Sequence, residues 1–142
     1  DRIAHFFPAD RHDQLWMDLS LNLRGIVAQQ LVPTKDGKGR RAAIEIMLNT
    51  PLVADTIRKG EVHKLKEIMT NSTEHGMQTF DQALYQLYIE DQISYENAIA
   101  HADSKNDLRL MIKMQSDTHI NELDAAADDL TIEEDQADKL RW

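Results

Sequence analysis

Leu15, Leu19, Leu23, Ile26 and Val27 recur at helical spacing, with Gln14, Asp18, Asn22 and Gln29 off that stripe. The pattern predicts an amphipathic helix over 13–30, with Pro8 and Asp10 as stop and cap before it. Gly25 inside the pattern weakens a helix and marks close approach by a neighbour. Trp16 and Met17 flank the stripe and read as core. Pro33 ends this helix, or a short strand after it. Thr34-Lys35-Asp36-Gly37-Lys38-Gly39 follows as a turn, its Asp-Gly pair suited to a tight hairpin. On the far side Ala42, Ile44, Ile46 and Leu48 alternate with Ala43, Glu45 and Met47, the period of a strand.

From residue 50 onward the pattern is helical. Thr50-Pro51 is a cap followed by Pro at the first helical position, and Arg58, Lys59 and Gly60 end that helix. Val62, Leu65, Ile68 and Met69 mark a second, broken by Asn71 to Gly76. Thr79 and Gln82 form a capping box for a third, with Phe80, Ala83, Leu84 and Leu87 on one face. Ser94 caps a fourth carrying Ala98, Ile99 and Ala102. Asp103 or Ser104 caps a fifth carrying Leu108, Met111 and Ile112. The expected fold is mainly α: a small helical bundle over 13–115 with one β-hairpin. Its candidate core is Leu15, Leu19, Leu23, Ile44, Ile46, Leu65, Phe80, Leu84, Leu87 and Ile112.

After Met114 the order weakens. Leu123, Ala126 and Leu130 make only a faint stripe among acids, so residues 117–142 are expected to form an acidic, mobile tail behind a domain of residues 1–116. That tail carries a net charge of −7, leaving −2 of the total −9 for the rest of the chain. A near-neutral body with an acidic extension disfavours nucleic acid as a partner. The cluster Lys35, Lys38, Arg40 and Arg41 reads as a solvated hairpin rim. The absence of Cys excludes disulfides, thiolate metal sites and a Cys nucleophile. No apolar run is long enough to cross a bilayer.

The chemistry of a self-contained enzyme is missing. There is no phosphate-binding G-x-x-x-x-G-K-[ST] loop, and Gly37-Lys38-Gly39 lacks the helix that would follow one. The six histidines form no pair at metal-binding spacing, and the paired acids Glu90-Asp91, Asp128-Asp129 and Glu133-Glu134-Asp135 read as a solvated face. No catalytic, cofactor-binding or metal site is expected in this chain.

The order of motifs is nonetheless distinctive. Arg2-Ile3-Ala4-His5-Phe6-Phe7-Pro8 resembles the R-I-x-x-F-F-P stretch of the type IV pilus retraction ATPases, the PilT/PilU family. Leu23-Arg24-Gly25-Ile26-Val27-Ala28-Gln29-Gln30-Leu31-Val32-Pro33 is similar to that family's L-R-G-V-x-x-Q-Q-L-V-P segment, here read as helix. Glu45 to Pro51, Ile57-Arg58, Gly60 and Gly76 to Leu84 extend the likeness to about residue 114.

The resemblance implies the C-terminal domain of a RecA-like motor, separated from an upstream core that holds the Walker A, Walker B and His-box motifs. The start at Asp1 instead of Met fits a fragment. It further implies ATP and magnesium in the full-length protein, a cytoplasmic hexamer at the inner-membrane base of the pilus machine, and twitching motility as the output. Its partners would be its own core, neighbouring subunits, the pilus machinery and a paralogous retraction ATPase.

Where the PilT type has A-I-R-N-L-I-R-E, this chain has Leu52-Val53-Ala54-Asp55-Thr56-Ile57-Arg58-Lys59, which looks closer to the PilU type. Asp55, Arg58 and Lys59 are therefore candidates for a coupling surface, and Arg24, Gln29 and Gln30 for a subunit interface. Related assembly and secretion ATPases carry a four-cysteine zinc site, which zero Cys argues against. A reading of another class is a stand-alone helical interaction module without nucleotide dependence.

Overall fold

The computed structural model describes residues 3–114. The expected acidic tail at 117–142, its boundary at residue 116 and Arg2 lie outside the described residues. Contacts divide the chain into two units that meet between Asp103 and Ser104.

The first unit is mainly helical with one hairpin. Single 3-10 turns at Ala4–Phe6 and Ala9–Arg11 lead into α1, His12–Asn22. Asp10 lies within the second turn and does not cap α1; Arg11 stands at the cap position without a side-chain bond.

The helix predicted over 13–30 is instead a shorter helix followed by a strand. It stops at Asn22, Leu23 turns extended, and Gly25–Pro33 forms strand β1. Three forces end the helix. Gly25 resists helical continuation, β-branched Ile26 and Val27 favour a pleated surface, and the Asn49 amide donates to the carbonyls of Ser20 and Leu23 at 3.0 and 2.9 Å. Those carbonyls then need no continuing helix.

β1 pairs antiparallel with β2, Arg40–Leu48, in unbroken register from Gly25↔Leu48 to Pro33↔Arg40. At the turn, Thr34 Oγ1 donates to Asp36 Oδ1 at 2.6 Å and Gly37 takes φ +68°. The hairpin rests on α2 (Pro51–Arg58), α3 (Leu65–Thr70), α4 (Phe80–Ile89) and α5 (Tyr95–His101), as an isolated two-stranded ribbon must rest on something. The caps follow the sequence: Thr50 accepts from Val53 N, Thr79 and Gln82 close a capping box, and Ser94 accepts from Asn97 N.

Packing centres on Met47, Val53, Ile57, Met69 and Met77, with Trp16, Leu19, Leu23, Leu65 and Ile68 against them. Each fully buried aliphatic side chain contributes about 1.5–3 kcal/mol. The candidate core needs one inversion. On β2 the buried residues are Ala43 and Met47, while Ile44 and Ile46 are only half-buried on the opposite face. Leu15 and Leu84 are buried; Leu19, Leu23, Leu65, Phe80, Leu87 and Ile112 are half-buried. Trp16 is half-buried and Met17 exposed, so only the first packs as expected.

In the second unit, residues 105–114 form α6, and Ser104 Oγ accepts from Asp107 N at 3.4 Å. Leu108 is buried and Ile112 half-buried.

Candidate functional site

The candidate coupling residues sit together because α2 is short and firmly capped. Asp55, Arg58 and Lys59 fall one turn apart on its exposed side. The Asp55 carboxylate accepts from Arg58 Nη2 and from Lys59 Nζ, each at 2.5 Å. The hydrogen bonds from Lys59 and then Arg58 hold the Asp55 carboxyl below its ordinary value. Beside this triad runs an open cleft of about 480 Å³ whose walls include Leu52, Thr56, Glu61, Lys64 and Glu67. Lys64 pairs with Glu61 at 2.9 Å, and that pairing lowers the Glu61 pKa. The surface is thus a lattice of alternating charges, with one net positive charge on the triad and one net negative charge on Glu61, Lys64 and Glu67 beside it.

The three interface candidates do not converge. As strand neighbours, Gln29 and Gln30 point to opposite faces of the sheet. Gln29 is exposed, whereas Gln30 turns inward and its Nε2 donates to the His101 carbonyl at 3.4 Å. Arg24 precedes β1, exposed, with its carbonyl taken by Asn49 N at 3.0 Å. A helix would have gathered them differently.

Sequence reasoning missed a second polar constellation. Lys66 on α3 bridges Glu45 of β2 and Asp103, and its ammonium lies 5.6 Å from the centre of the Phe80 ring. Burial opposes the charge on Lys66, but the hydrogen bonds to Asp103 and Glu45 outweigh it and raise its pKa. This group borders an apolar cavity of about 310 Å³ lined by Trp16, Leu19, Leu23, Ile57, Leu65 and Met69. Glu45, Lys66 and Asp103 share no local spacing, so only the tertiary fold could have joined them.

The hairpin rim behaves as expected of a solvated edge, with two side-chain attachments and a backbone bond from Lys35 N to the Gln92 carbonyl at 3.1 Å. Lys35 pairs with Asp91, and Arg41 donates to the Gln92 side chain. Among the described residues, no group of three or more His, Cys, Asp or Glu could hold a metal ion, and no helix is long and apolar enough to cross a membrane. His12 Nε2 lies 3.1 Å from the carbonyls of Ala4 and Phe7, where it pins the entry segment.

No family model matches the chain. A curated relative, the type IV pilus ATPase PilU of Pseudomonas aeruginosa, is 68% identical over 94% of the chain and 35% of the relative. The chain belongs to the PilT/PilU family of type IV pilus ATPases. The type IV pilus retractation ATPase PilT of the same organism is 37% identical over 69% of the chain and 28% of its own length.

The crystal structure of the pilus retraction motor PilT with bound ADP superposes with a TM-score of 0.62 at 30% identity. It covers 76% of this chain and 29% of that one. The chain therefore spans about a third of the length of the PilT/PilU relatives it matches. Identity with PilU well above that with PilT agrees with the altered residues 52–59 of the sequence.

Proposed function

We propose that these residues are the C-terminal part of an ATP-driven type IV pilus retraction motor, where they supply subunit interfaces and mechanical coupling. The observation that carries this reading is the 68% identity to PilU sustained over 94% of the chain. The superposition on PilT supports the same fold in the same role. In this reading the nucleotide site lies in another part of the polypeptide, and ATP and magnesium bind there. The assembly is a hexamer on the cytoplasmic side of the inner membrane at the pilus base, in contact with pilus machinery and a paralogous retraction ATPase. The domain of residues 1–116 does the coupling, and the acidic segment 117–142 extends from it.

Phosphoryl transfer needs a phosphate cradle, a Mg²⁺ site and a group that orients the attacking water. None of these is encoded by a motif within the 142 residues. The test is ATP turnover and native mass of the full-length polypeptide beside the 142-residue chain. Magnesium-dependent hydrolysis by a hexameric full-length protein, with no turnover and no ATP-induced thermal shift in the short chain, is expected. Turnover by the short chain alone, free of contaminating ATPases, would overturn the reading. So would a full-length protein without ATPase activity, which would favour the interaction module.

A further inference from the structure

Apolar side chains from three helices and the hairpin leave a space between them. This is the cavity of about 310 Å³, walled by Trp16, Leu19, Met47, Ile57, Leu65 and Met69. Protein interiors rarely leave voids larger than a water molecule, and an apolar cavity of about 150 Å³ already takes up a benzene-sized guest. Trp16 and Leu19 on α1 and Leu65 on α3 are only half-buried. Atoms that face a void lose dispersion contacts, which an occupant restores.

The polar part of the wall is Glu45 and Lys66. The Lys66 charge is already answered. Its ammonium donates to Glu45 Oε2 and to Asp103 Oδ2, and it lies 5.6 Å from the centre of the Phe80 ring. Glu45 Oε2 also accepts from Phe80 N at 3.3 Å, whereas Glu45 Oε1 has no donor among the described residues.

Glu45, Lys66 and Asp103 together carry one net negative charge. That balance selects among ligands. An anion would meet two carboxylates and a lysine already engaged by both. A neutral apolar body gains burial alone. An ammonium supplies the donor that Glu45 Oε1 lacks, in a charge-assisted hydrogen bond. Apolar walls, few polar groups and a volume of about 300 Å³ or more are the usual form of a small-molecule site.

We propose that this cavity is a binding site for a small amphipathic amine, its aromatic or alkyl body among Trp16, Leu19, Ile57 and Leu65 and its ammonium on Glu45. The site is separate from the Asp55–Arg58–Lys59 triad, which lies on the exposed side of α2, while Ile57 of the same helix faces the cavity. An occupant braces α2 from within, against α1 and α3. The site is built entirely from residues of the first unit, so it does not depend on the motor reading.

Phenethylamine, phenethyl alcohol and phenylpropanoate carry the same aromatic body and differ in the charge of the head. Titrated calorimetrically into the full-length protein, the amine should bind about tenfold tighter than the alcohol, and phenylpropanoate more weakly than either. Glu45→Gln should bring the amine to the affinity of the alcohol. The fluorescence difference between the protein and its Trp16→Phe variant isolates the Trp16 ring, and that difference should change as the amine binds. Should Glu45→Gln fail to fold, the three ligands and the Trp16 signal still decide on the unaltered protein. Absence of amine binding would overturn the proposal, as in a full-length protein whose other residues fill the cavity. Equal affinity for all three ligands would reduce the site to apolar partition and overturn the amine assignment. Amine binding with a silent Trp16, or with an affinity unmoved by Glu45→Gln, would place the ligand elsewhere and overturn it as well.

Discussion

At the scale of single residues, Gly60 carries the clearest constraint. Its φ is +70°, and a Cβ there would meet the Trp16 ring nitrogen at 3.3 Å. A left-handed conformation costs an L-residue about 1–2 kcal/mol, before any crowding. Gly60→Ala should therefore lower the melting temperature by roughly 4–8 °C or more, read by thermal denaturation. An unchanged melt would mean that the α2 stop can relax freely. Asp55 gives a second expectation. Hydrogen bonds from Lys59 and Arg58 lower its pKa from the ordinary 3.8. Because the folded value is the depressed one, the linked stability is present above pH 3.8 and is lost as pH falls through the lowered value. In a carboxyl NMR titration Lys59→Ala should move the Asp55 midpoint upward, toward its ordinary value. A midpoint that stays put would show that the pair does not persist in solution.

At the scale of elements, local chemistry and tertiary context divide the credit. Thr79→Ala removes the side-chain arm of the α4 capping box, the bond from Gln82 N to Thr79 Oγ1, and should cost about 1 kcal/mol, seen as a lower denaturation midpoint with an unchanged slope. The caps at Thr50, Thr79 and Ser94 and the Asp36–Gly37 turn were legible because each is written in adjacent residues. β1 was not, because Ile26 and Val27 happen to continue the stripe of Leu15, Leu19 and Leu23 at helical spacing. Gly25 was the available signal, and the Asp-Gly turn already required a strand before it. The inversion on β2 has another cause: apolar residues occupy both of its faces, so alternation alone could not choose between Ile44–Ile46 and Ala43–Met47. The Glu45–Lys66–Asp103 bridge was illegible for want of any spacing. With Glu45 largely buried and Lys66 half-exposed, solvent screening limits its worth, so a double-mutant cycle of Glu45→Gln and Lys66→Met should give a coupling of about 1 kcal/mol. A coupling near zero would reduce the bridge to a surface contact. Lys66 has the opposite sign of pH linkage from Asp55: its stabilisation is present below pH 10.5 and is lost as pH rises through the raised value.

At the scale of the whole molecule, the proposed motor reading asks what the surface of α2 would contribute to it. Motif order across residues 2–84 made the family legible, while α2 was the one place where departure from the PilT pattern pointed to a surface. The structure adds that Arg58 is held by Asp55, so any partner that uses the guanidinium must compete for it or accept the triad as a unit. That makes the triad separable from folding. Exposed pairs of this kind contribute little to stability, so Arg58→Ala should leave the melt within a few degrees. It leaves Asp55 and Lys59 paired and removes the net positive charge. If α2 transmits motion to the pilus machinery, Arg58→Ala in the full-length protein should retain ATP hydrolysis and lose pilus retraction. Arg58→Lys restores the charge without the planar, five-donor fork. Rescue by Lys would assign the role to charge, and failure of rescue to the guanidinium geometry. Loss of hydrolysis together with retraction would place Arg58 in assembly instead of transmission, and normal retraction by Arg58→Ala would remove it from the coupling surface altogether.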